Sequence, residues 1–254
     1  MARIGWGLTG AGDLLFETFH VMEEIAQDHS LSCYLSDAGE RVVHIYGLWE
    51  RLKKICPGSY YREIISESEQ GAASPLSGRL QRGRYKALIV SPASANTVAK
   101  ASIGIADTLV TNAISQARKG GVPTLIVPTD QEGKRISKLP YLIDRGICKK
   151  QLGTSHEKCQ ILDICPYGAI IEALGLPKID LTKCEGCGIC LENCPYDAIS
   201  FGQEIEANVE EIDLKNVQRL REHKSFTVVK SPERIPNALK EVKNAKSKSS
   251  TRYR

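Results

Sequence analysis

Seven of the nine cysteines lie between Cys148 and Cys194. Four of them form the run C-x2-C-x2-C-x3-C-P at 184–195, which is typical of bacterial ferredoxins. Cysteines that are separated by two intervening residues can direct their thiolates from one tight loop onto three corners of an iron–sulfur cube. Gly186 and Gly188 let the backbone curl around it. A disulfide framework and a zinc site are the alternatives, but this clustered spacing in a chain without secretory features favours iron and sulfide.

A second Cys-Pro pair indicates where the fourth ligand of this cluster comes from. The hexapeptides CPYGAI at 165–170 and CPYDAI at 194–199 are nearly identical. In two-cluster ferredoxins the fourth cysteine of each run ligates the other cluster. The sequence therefore predicts one [4Fe–4S] cluster with these ligands: Cys165, Cys184, Cys187 and Cys190.

The cysteines that precede Cys165 do not follow the regular spacing of the run at 184–195. When the two halves are aligned, three other residue types take the expected cysteine positions: Ser155, Lys158 and Ile161. Three cysteines remain as predicted ligands of a second cluster: Cys148, Cys159 and Cys194. The fourth ligand is left open between a distant cysteine, His156, water and a vacant position.

Composition limits the class of protein. The chain has 254 residues, of which 42% are hydrophobic and 25% charged, and its net charge is +4. These values suit one large or two smaller globular domains and are too weakly basic to indicate nucleic-acid binding. No apolar run approaches the roughly 18 residues of a membrane span, and the start lacks the apolar block of a signal peptide, so we expect a cytoplasmic protein. Cys33 and Cys56 lie outside the cluster region and are predicted to be buried apolar side chains.

The strands and helices that precede the cysteine-rich segment predict a second binding site. Short buried strands alternate with amphipathic helices over residues 1–145, which predicts a doubly wound parallel sheet. Ligands of such sheets bind beyond the carboxyl ends of the strands, and the corresponding loops are 10–13, 36–39, 91–97 and 128–130. Hydroxyl groups and helix N-termini in these loops suit a phosphate, whereas G-x-G-x-x-G and a Walker lysine are both missing from GLTGAG. The residues alone thus predict a nucleotide-like ligand.

One segment resembles a known family. The stretch SPASANTVAKASIGIADTLVTNAISQA at 91–117 resembles the signature of the FMN-binding flavoproteins that include the pantothenoyl-cysteine decarboxylases, and GLTGAGDLL at 7–15 resembles their first loop. The resemblance implies a homo-oligomer built from trimers. It also implies FMN contacts from eight residues: Gly10, Ala11, Gly12, Ser36, Ser94, Ala95, Asn96 and Thr97. The P-x-M-N-x-x-M loop of the decarboxylases is replaced by VPTDQEGKR at 127–135, which does not favour decarboxylation.

The order of the two parts resembles that of the archaeal dihydromethanopterin reductases (acceptor). This resemblance implies reduction of 7,8-dihydromethanopterin to tetrahydromethanopterin, a folate-like one-carbon carrier. Electrons would pass from an external one-electron donor such as a ferredoxin, through the clusters to FMN, and then as hydride to the pterin. No catalytic side chain is assigned, because FMN performs the hydride transfer. Asp37, Tyr141 and Asp130 lie near the predicted ligand edge without an assigned role.

Two other functions fit the same motifs. The chain could carry electrons between protein partners without a small-molecule substrate, or it could be a flavin-dependent, decarboxylase-like lyase. A pocket that is open to the flavin and wide enough for a pterin separates the first alternative from a reductase. Release of carbon dioxide from a carboxylated thiol would indicate the lyase.

Three parts are predicted along the chain. Residues 1–145 form the Rossmann- or flavodoxin-like FMN-binding domain, 146–205 a small α+β ferredoxin-like domain, and 206–254 a C-terminal helix and strand with a basic tail. The stretch 133–153 joins the first two parts. Its basic residues could face an acidic electron donor or the carboxylate tail of a pterin, or could belong to a solvated linker.

Overall fold

The computed structural model describes residues 1–154 and 159–249. Its strands are β1 (Ala2–Leu8), β2 (His29–Leu35), β3 (Ile64–Ser66), β4 (Ala87–Ala93), β5 (Thr124–Pro128), β6 (Lys134–Lys138), β7 (Leu142–Ile143), β8 (Ile170–Ala173), β9 (Leu176–Ile179), β10 (Ile199–Ser200), β11 (Glu204–Asn208) and β12 (Phe226–Val228). Its helices are α1 (Leu15–Asp28), α2 (Asp37–Ile45), α3 (Trp49–Ile55), α4 (Glu67–Gln70), α5 (Gly78–Gln81), α6 (Ala95–Ile103), α7 (Leu109–Lys119), α8 (Ile189–Glu192), α9 (Glu211–Glu222) and α10 (Ile235–Ser249).

The central sheet has six strands in the order β3-β2-β1-β4-β5-β12, and every pairing in it is parallel. The chain winds outward from β1 in one direction to β3 and in the other to β12, so the order reverses between β1 and β4. Helices cover both faces of this sheet. The predicted doubly wound α/β fold is therefore confirmed.

Buried apolar strands explain why the sheet forms at the centre. Every residue of β4 and of β5 is buried, as expected for parallel strands that are covered on both faces. On one face, Trp6 packs with α1, α2, α3 and α10. On the other, Val90 packs with α6, α7 and α9. The two faces thus share one sheet but form separate hydrophobic cores.

The cysteine-rich segment is an insertion between β5 and α9. Its strands pair in three antiparallel ribbons, β6 with β11, β7 with β10, and β8 with β9. A third, small core surrounds the cysteines and contains Tyr141, Ile161 and Ile170. Residues 134–143 thus pair with strands of this iron–sulfur unit, although they fall within the amino-terminal part outlined from the sequence.

The carboxyl-terminal segment returns to the central sheet. Helix α9 lies against α6, β12 adds a parallel strand beside β5, and Leu239 of α10 is buried in the same core as α1. The predicted helix and strand after residue 206 therefore complete the flavoprotein sheet rather than forming a separate body. In the part of the chain that the structure describes, no helix combines the length and the apolar content needed to cross a bilayer.

Candidate functional site

Four loops meet at the carboxyl edge of the central sheet. Residues 10–13 follow β1, 36–39 follow β2, 91–97 span the end of β4, and 128–130 follow β5. Because the strand order reverses between β1 and β4, the loops after these two strands flank the crevice in which such sheets bind their ligands. The structure therefore brings together all of the loops that carry the predicted FMN contacts.

Thr9 ties the two central loops together. Its side chain is 1% exposed. Its hydroxyl donates a hydrogen bond to the Pro92 carbonyl at 2.8 Å and accepts one from the Ser94 amide at 2.9 Å. Two bonds at a buried hydroxyl hold the loops after β1 and β4 in a fixed relation, and this contact fixes the floor of the crevice.

Two helix N-termini face this edge. Ser36 caps α2, where its hydroxyl accepts a bond from the Gly39 amide at 3.1 Å, and Ser94 caps α6, where it accepts one from the Thr97 amide at 3.4 Å. Both helices have nine residues, and their first-turn amides favour an anion. Asn96 lies in the first turn of α6 with its side chain exposed.

The first loop is too crowded for side chains at two of its positions. A Cβ atom added to Gly10 would lie 2.7 Å from Cβ of Ala38, and one added to Gly12 would lie 2.5 Å from the Tyr46 hydroxyl. Glycine at these positions keeps the backbone close to α2 and leaves its amides accessible to a bound group. Ala11, between them, is buried.

A buried acidic pair shares one arginine at the same edge. Arg135 forms ion pairs with Asp13 of the first loop and with Asp130 after β5, the latter at 3.1 Å from Nε to Oδ1. Both carboxylates are less than a tenth exposed. The Thr129 hydroxyl also donates a 2.5 Å bond to Asp130. Since Arg135 belongs to β6, these pairs fasten the iron–sulfur unit to the flavoprotein loops.

The four predicted ligands of the first cluster line one cavity. Cys165, Cys184, Cys187 and Cys190 face a common space that is closed by Tyr141 and by the side chains of Ile170 and Ile179. Within residues 1–154 and 159–249, no three His, Cys, Asp or Glu side chains meet closely enough to chelate a single metal ion. Three of these cysteines, Cys184, Cys187 and Cys190, keep the sequence spacing that is typical of a [4Fe–4S] cluster.

Backbone amides point at the sulfur atoms of this cavity. The Ala169 amide donates to Cys165 Sγ at 3.3 Å. The Gly186 and Leu191 amides lower the pKa of the Cys184 and Cys190 thiols, respectively. Gly186 and Gly188 have φ values of +63° and +81°, so glycine permits the turn that aims these groups.

Burial opposes ionisation of two of these thiols, Cys184 and Cys190. It raises the pKa of Cys184, and it raises that of Cys190 to about 11, with the charges of Cys184 and Cys187 adding to the effect. Bound iron supplies the positive charge that stabilises thiolates in such surroundings. The amides that face sulfur would also offset the negative charge of a bound cluster.

The second set of cysteines lines a neighbouring cavity. Cys148, Cys159 and Cys194 surround it together with Ile143, Ile161 and Ile199. Burial raises the pKa of Cys159, and an amide bond from Ile161 opposes this shift. His156, considered from the sequence as a fourth ligand, lies outside the described residues, as do Ser155 and Lys158.

The remaining two cysteines are far from both cavities. Cys33 is wholly buried and Cys56 is 2% exposed in the core of the flavoprotein sheet. The Cys56 thiol donates to the Leu31 carbonyl at 3.3 Å. Burial raises the pKa of Cys33 strongly and that of Cys56 to about 12.

The contact between the two units has no local signal in the sequence. His44 of α2 bonds Glu185 at 2.6 Å between Nδ1 and Oε2, across 141 residues of chain. A Cβ atom on Gly186 would lie 2.3 Å from the Gly47 amide nitrogen, so the two backbones touch directly. Gly186 was singled out from the sequence only for its place between ligands, and its partner could not be inferred from spacing.

Comparisons with known proteins agree with the division of the chain into a flavoprotein domain and an iron–sulfur unit. Residues 1–134 match the family model described as Flavoprotein, and residues 177–200 match the one described as 4Fe-4S binding domain. The flavoprotein match covers half of the chain and includes all four loops at the carboxyl edge. The predicted cofactor classes, a flavin and an iron–sulfur cluster, are thereby confirmed.

Two curated proteins are similar over most of the chain. Dihydromethanopterin reductase (acceptor) of Methanosarcina mazei is 48% identical over 237 residues, which are 92% of this chain and 97% of the relative. The protein of the same name from Methanocaldococcus jannaschii is 47% identical over 237 residues, 92% of this chain and 94% of the relative. Both parts of the chain are therefore shared with these relatives.

A solved structure shows the same fold. Burkholderia xenovorans DmrB, described in complex with FMN as a cubic protein cage for redox transfer, aligns with a TM-score of 0.58 and 24% identity, and 94% of each chain is covered. The sequence motifs, the fold and the extent of the curated similarity agree with one another. The chain belongs to the dihydromethanopterin reductase (acceptor) family of oxidoreductases, with a flavoprotein domain and a 4Fe–4S binding domain.

Proposed function

We propose that this chain reduces 7,8-dihydromethanopterin to tetrahydromethanopterin, using electrons from an external one-electron donor. The observation that carries the proposal is the packing of the loop of a four-cysteine cavity against the end of α2 in the flavoprotein domain, within one polypeptide. The names of the curated relatives supply the substrate. When bound, iron–sulfur clusters pass single electrons, and FMN collects two of them and delivers a hydride.

The proposed FMN site lies in the crevice between the loops after β1 and β4. Gly10, Ala11 and Gly12 would approach the ligand through their backbone, and Ser36 would offer the N-terminus of α2. The second helix would contribute its first turn, consisting of Ser94, Ala95, Asn96 and Thr97. The crowding at Gly10 and Gly12 and the two capped helix starts support a phosphate-bearing ligand here.

The proposed ligands of the first cluster are the cysteines that line the cavity closed by Tyr141: Cys165, Cys184, Cys187 and Cys190. The shared cavity and the amide bond from Ala169 to Cys165 Sγ support the assignment. A second cluster would be held by Cys148, Cys159 and Cys194 with one further ligand, and the shared cavity supports it.

The protein's own contribution is position and charge. Thr9 and the Arg135 ion pairs keep the loops of the flavin crevice in place. We assign no side chain as proton donor, because solvent can protonate a pterin ring nitrogen. We further propose that the chain forms trimer-based homo-oligomers and accepts electrons from a ferredoxin-like partner.

Anaerobic stopped-flow spectroscopy tests the proposed reaction. Enzyme with chemically reduced FMN is mixed with 7,8-dihydromethanopterin, and flavin absorbance is followed with product analysis. Rapid reoxidation of the flavin with formation of tetrahydromethanopterin is expected. Reduced flavin that is untouched by the pterin, but is oxidised by a partner protein, would instead identify an electron carrier.

A further inference from the structure

The loop that carries three of the proposed cluster ligands is docked on the flavoprotein domain. Gly186 lies against Gly47 with backbone contacts that leave no room for a Cβ atom, and Glu185 bonds His44. His44 is itself stacked on Trp49, with ring centroids 4.3 Å apart. The position of the loop is thus fixed by backbone packing and by a side-chain bond, both to the end of α2 and the turn after it.

A cleft joins this loop to the start of the same helix. The cleft has a volume of about 390 Å³ and is lined on one side by Asp37, Glu40 and Arg41. Thr182 and Cys184 line the other side. A proposed cluster ligand thus faces the first turns of α2, the helix whose N-terminus is capped by Ser36, a proposed FMN contact.

Three aromatic rings pack between the four-cysteine cavity and the first flavin loop. Tyr141 closes the four-cysteine cavity and stacks on Phe201, with ring centroids 4.4 Å apart and planes inclined by 25°. Phe201 in turn lies 5.7 Å from the ring of Tyr46. The Tyr46 hydroxyl occupies the space into which a side chain at Gly12 would project. Three rings therefore form a continuous packed series from the cysteines to the first flavin loop.

Phe201 is the central member of this series. It packs against the core of the flavoprotein sheet and also against the small core around the cysteines. Tyr46 is held by a 2.5 Å bond from its hydroxyl to the Lys138 carbonyl, and Tyr141 donates to the Gly186 carbonyl at 3.4 Å. The two outer rings are thus anchored to the backbone, and Phe201 bridges them.

The second cysteine cavity is lined by residues of the iron–sulfur unit. Among the residues that the structure describes, those that line it fall between positions 143 and 199. Lys149 lies beside this cavity, with its ammonium group 4.9 Å from the ring of Tyr196. None of the described residues that line the cavity of Cys148, Cys159 and Cys194 belongs to the four loops at the carboxyl edge of the sheet.

The geometry points to an ordered path within one chain, in which the cluster of Cys165, Cys184, Cys187 and Cys190 reduces the flavin and the Tyr141–Phe201–Tyr46 ring series is the positioning bridge between them. This inference rests on the proposed function. Each transfer oxidises the reduced cluster by one electron and reduces FMN by one electron. The external donor replaces the electron at the cluster, and solvent supplies the protons. The rings would hold the cysteine cavity in a fixed position relative to the first flavin loop, and they undergo no chemical change.

The test replaces the central ring and measures electron transfer inside the protein. Wild type and Phe201→Leu are prepared anaerobically as holoenzymes, and iron, FMN and both midpoint potentials are determined. A flash-generated deazaflavin radical then reduces the cluster, and the subsequent reduction of FMN is followed by absorbance. We expect Phe201→Leu to slow this internal transfer several-fold with cofactor contents and potentials unchanged. Phe201→Tyr keeps a ring and should restore the wild-type rate.

Phe226→Leu is the matched control, because it removes a buried ring of β12 that lies in the other core of the sheet. Internal transfer in Phe226→Leu should equal that of wild type. If Phe201→Leu loses a cofactor, Phe201→Met, which keeps more of the side-chain length, is measured in the same way. An unchanged rate in Phe201→Leu, or an equal loss in Phe201→Tyr, would overturn the bridge. Failure of the proposed function would be seen in a different measurement. In that case wild-type enzyme with chemically reduced FMN would leave dihydromethanopterin unreduced.

Discussion

Replacing Gly186 with alanine should separate the cysteine loop from α2. The new Cβ atom would lie 2.3 Å from the Gly47 nitrogen and 2.6 Å from the Ile45 carbonyl oxygen, both of which are backbone atoms. Neither can move aside as a side chain would. The loop must therefore withdraw from the flavoprotein domain, and the bond between His44 and Glu185 would be lost with it.

Two contributions, backbone strain and overpacking, give the expected loss of unfolding free energy. Gly186 has a φ of +63°, where a residue with a Cβ atom costs about 1–2 kcal/mol. Overpacking at a rigid contact adds about 1–3 kcal/mol, so we expect Gly186→Ala to lower the free energy of unfolding by about 2–5 kcal/mol. Gly188→Ala is the matched control in the same loop. Its φ is +81°, but its Cβ atom would meet only the Tyr141 hydroxyl at 3.4 Å. Gly188→Ala should therefore cost only the backbone strain of a residue at positive φ, about 1–2 kcal/mol.

Anaerobic urea unfolding and amide hydrogen exchange measure the two effects. Gly186→Ala should unfold at lower urea than Gly188→Ala, and exchange should accelerate at residues 45–47 in Gly186→Ala alone. Equal stability of the two variants, with unchanged exchange at these residues, would refute the conclusion that the backbones are in tight contact. Iron analysis of both variants shows whether the cluster persists when the loop withdraws.

Three further changes probe the cofactor sites. Thr9→Val removes a buried hydroxyl with two bonds and should cost about 1–3 kcal/mol in urea unfolding while lowering the FMN content per chain. Cys194→Ser should remove the second cluster and leave about four of about eight irons per chain, whereas Cys33→Ser should leave the iron content unchanged. Arg135→Gln leaves two buried carboxylates without their cation and should cost about 3 kcal/mol, against less than about 1 kcal/mol for Lys134→Gln at the exposed neighbouring pair.

Each of these expectations has a contrary result. Full FMN content in Thr9→Val would show that the bridge between the loops does not shape the flavin crevice. An unchanged iron content in Cys194→Ser would remove this residue from the ligand set. Equal stability of Arg135→Gln and Lys134→Gln would show that the buried acidic pair does not require its arginine.

The sheet and its ligand loops could be predicted because their signals are local. Continuous apolar runs mark β4 and β5, and the periodic apolar positions of α1 mark a helix that covers one face. The spacing of Cys184, Cys187 and Cys190 is equally local, because one tight loop must present all three. Even the distant Cys165 could be placed, since its Cys-Pro pair repeats that of Cys194.

The junction between the units could not be predicted in this way. Tyr46, Tyr141 and Phe201 come from three separate segments, and none belongs to a motif that specifies an aromatic partner. Tyr141 was noted only as a residue near the ligand edge. The pairing of β12 with β5 also joins segments about a hundred residues apart, so no hairpin signal marks it. These contacts depend on how the units pack, which a single sequence expresses only through the complete fold.

The point of insertion explains why the iron–sulfur unit begins beside the carboxyl edge of the sheet. Parallel strands of a doubly wound sheet all end at the ligand edge, so a segment that leaves the sheet after β5 must emerge there. The iron–sulfur unit begins at β6, six residues after Pro128 at the end of β5, and Arg135 in β6 forms an ion pair with Asp13 of the loop after β1. The chain then returns through α9 to β12, the parallel neighbour of β5, so both ends of the insertion are held by the same side of the sheet. An iron–sulfur unit appended after β12 would have one covalent attachment and would need a larger noncovalent interface to reach the same crevice. Insertion between two adjacent parallel strands thus constrains the orientation of the iron–sulfur unit by topology, and the backbone contact of Gly186 with Gly47 adds to the ion pairs of Arg135 in holding it.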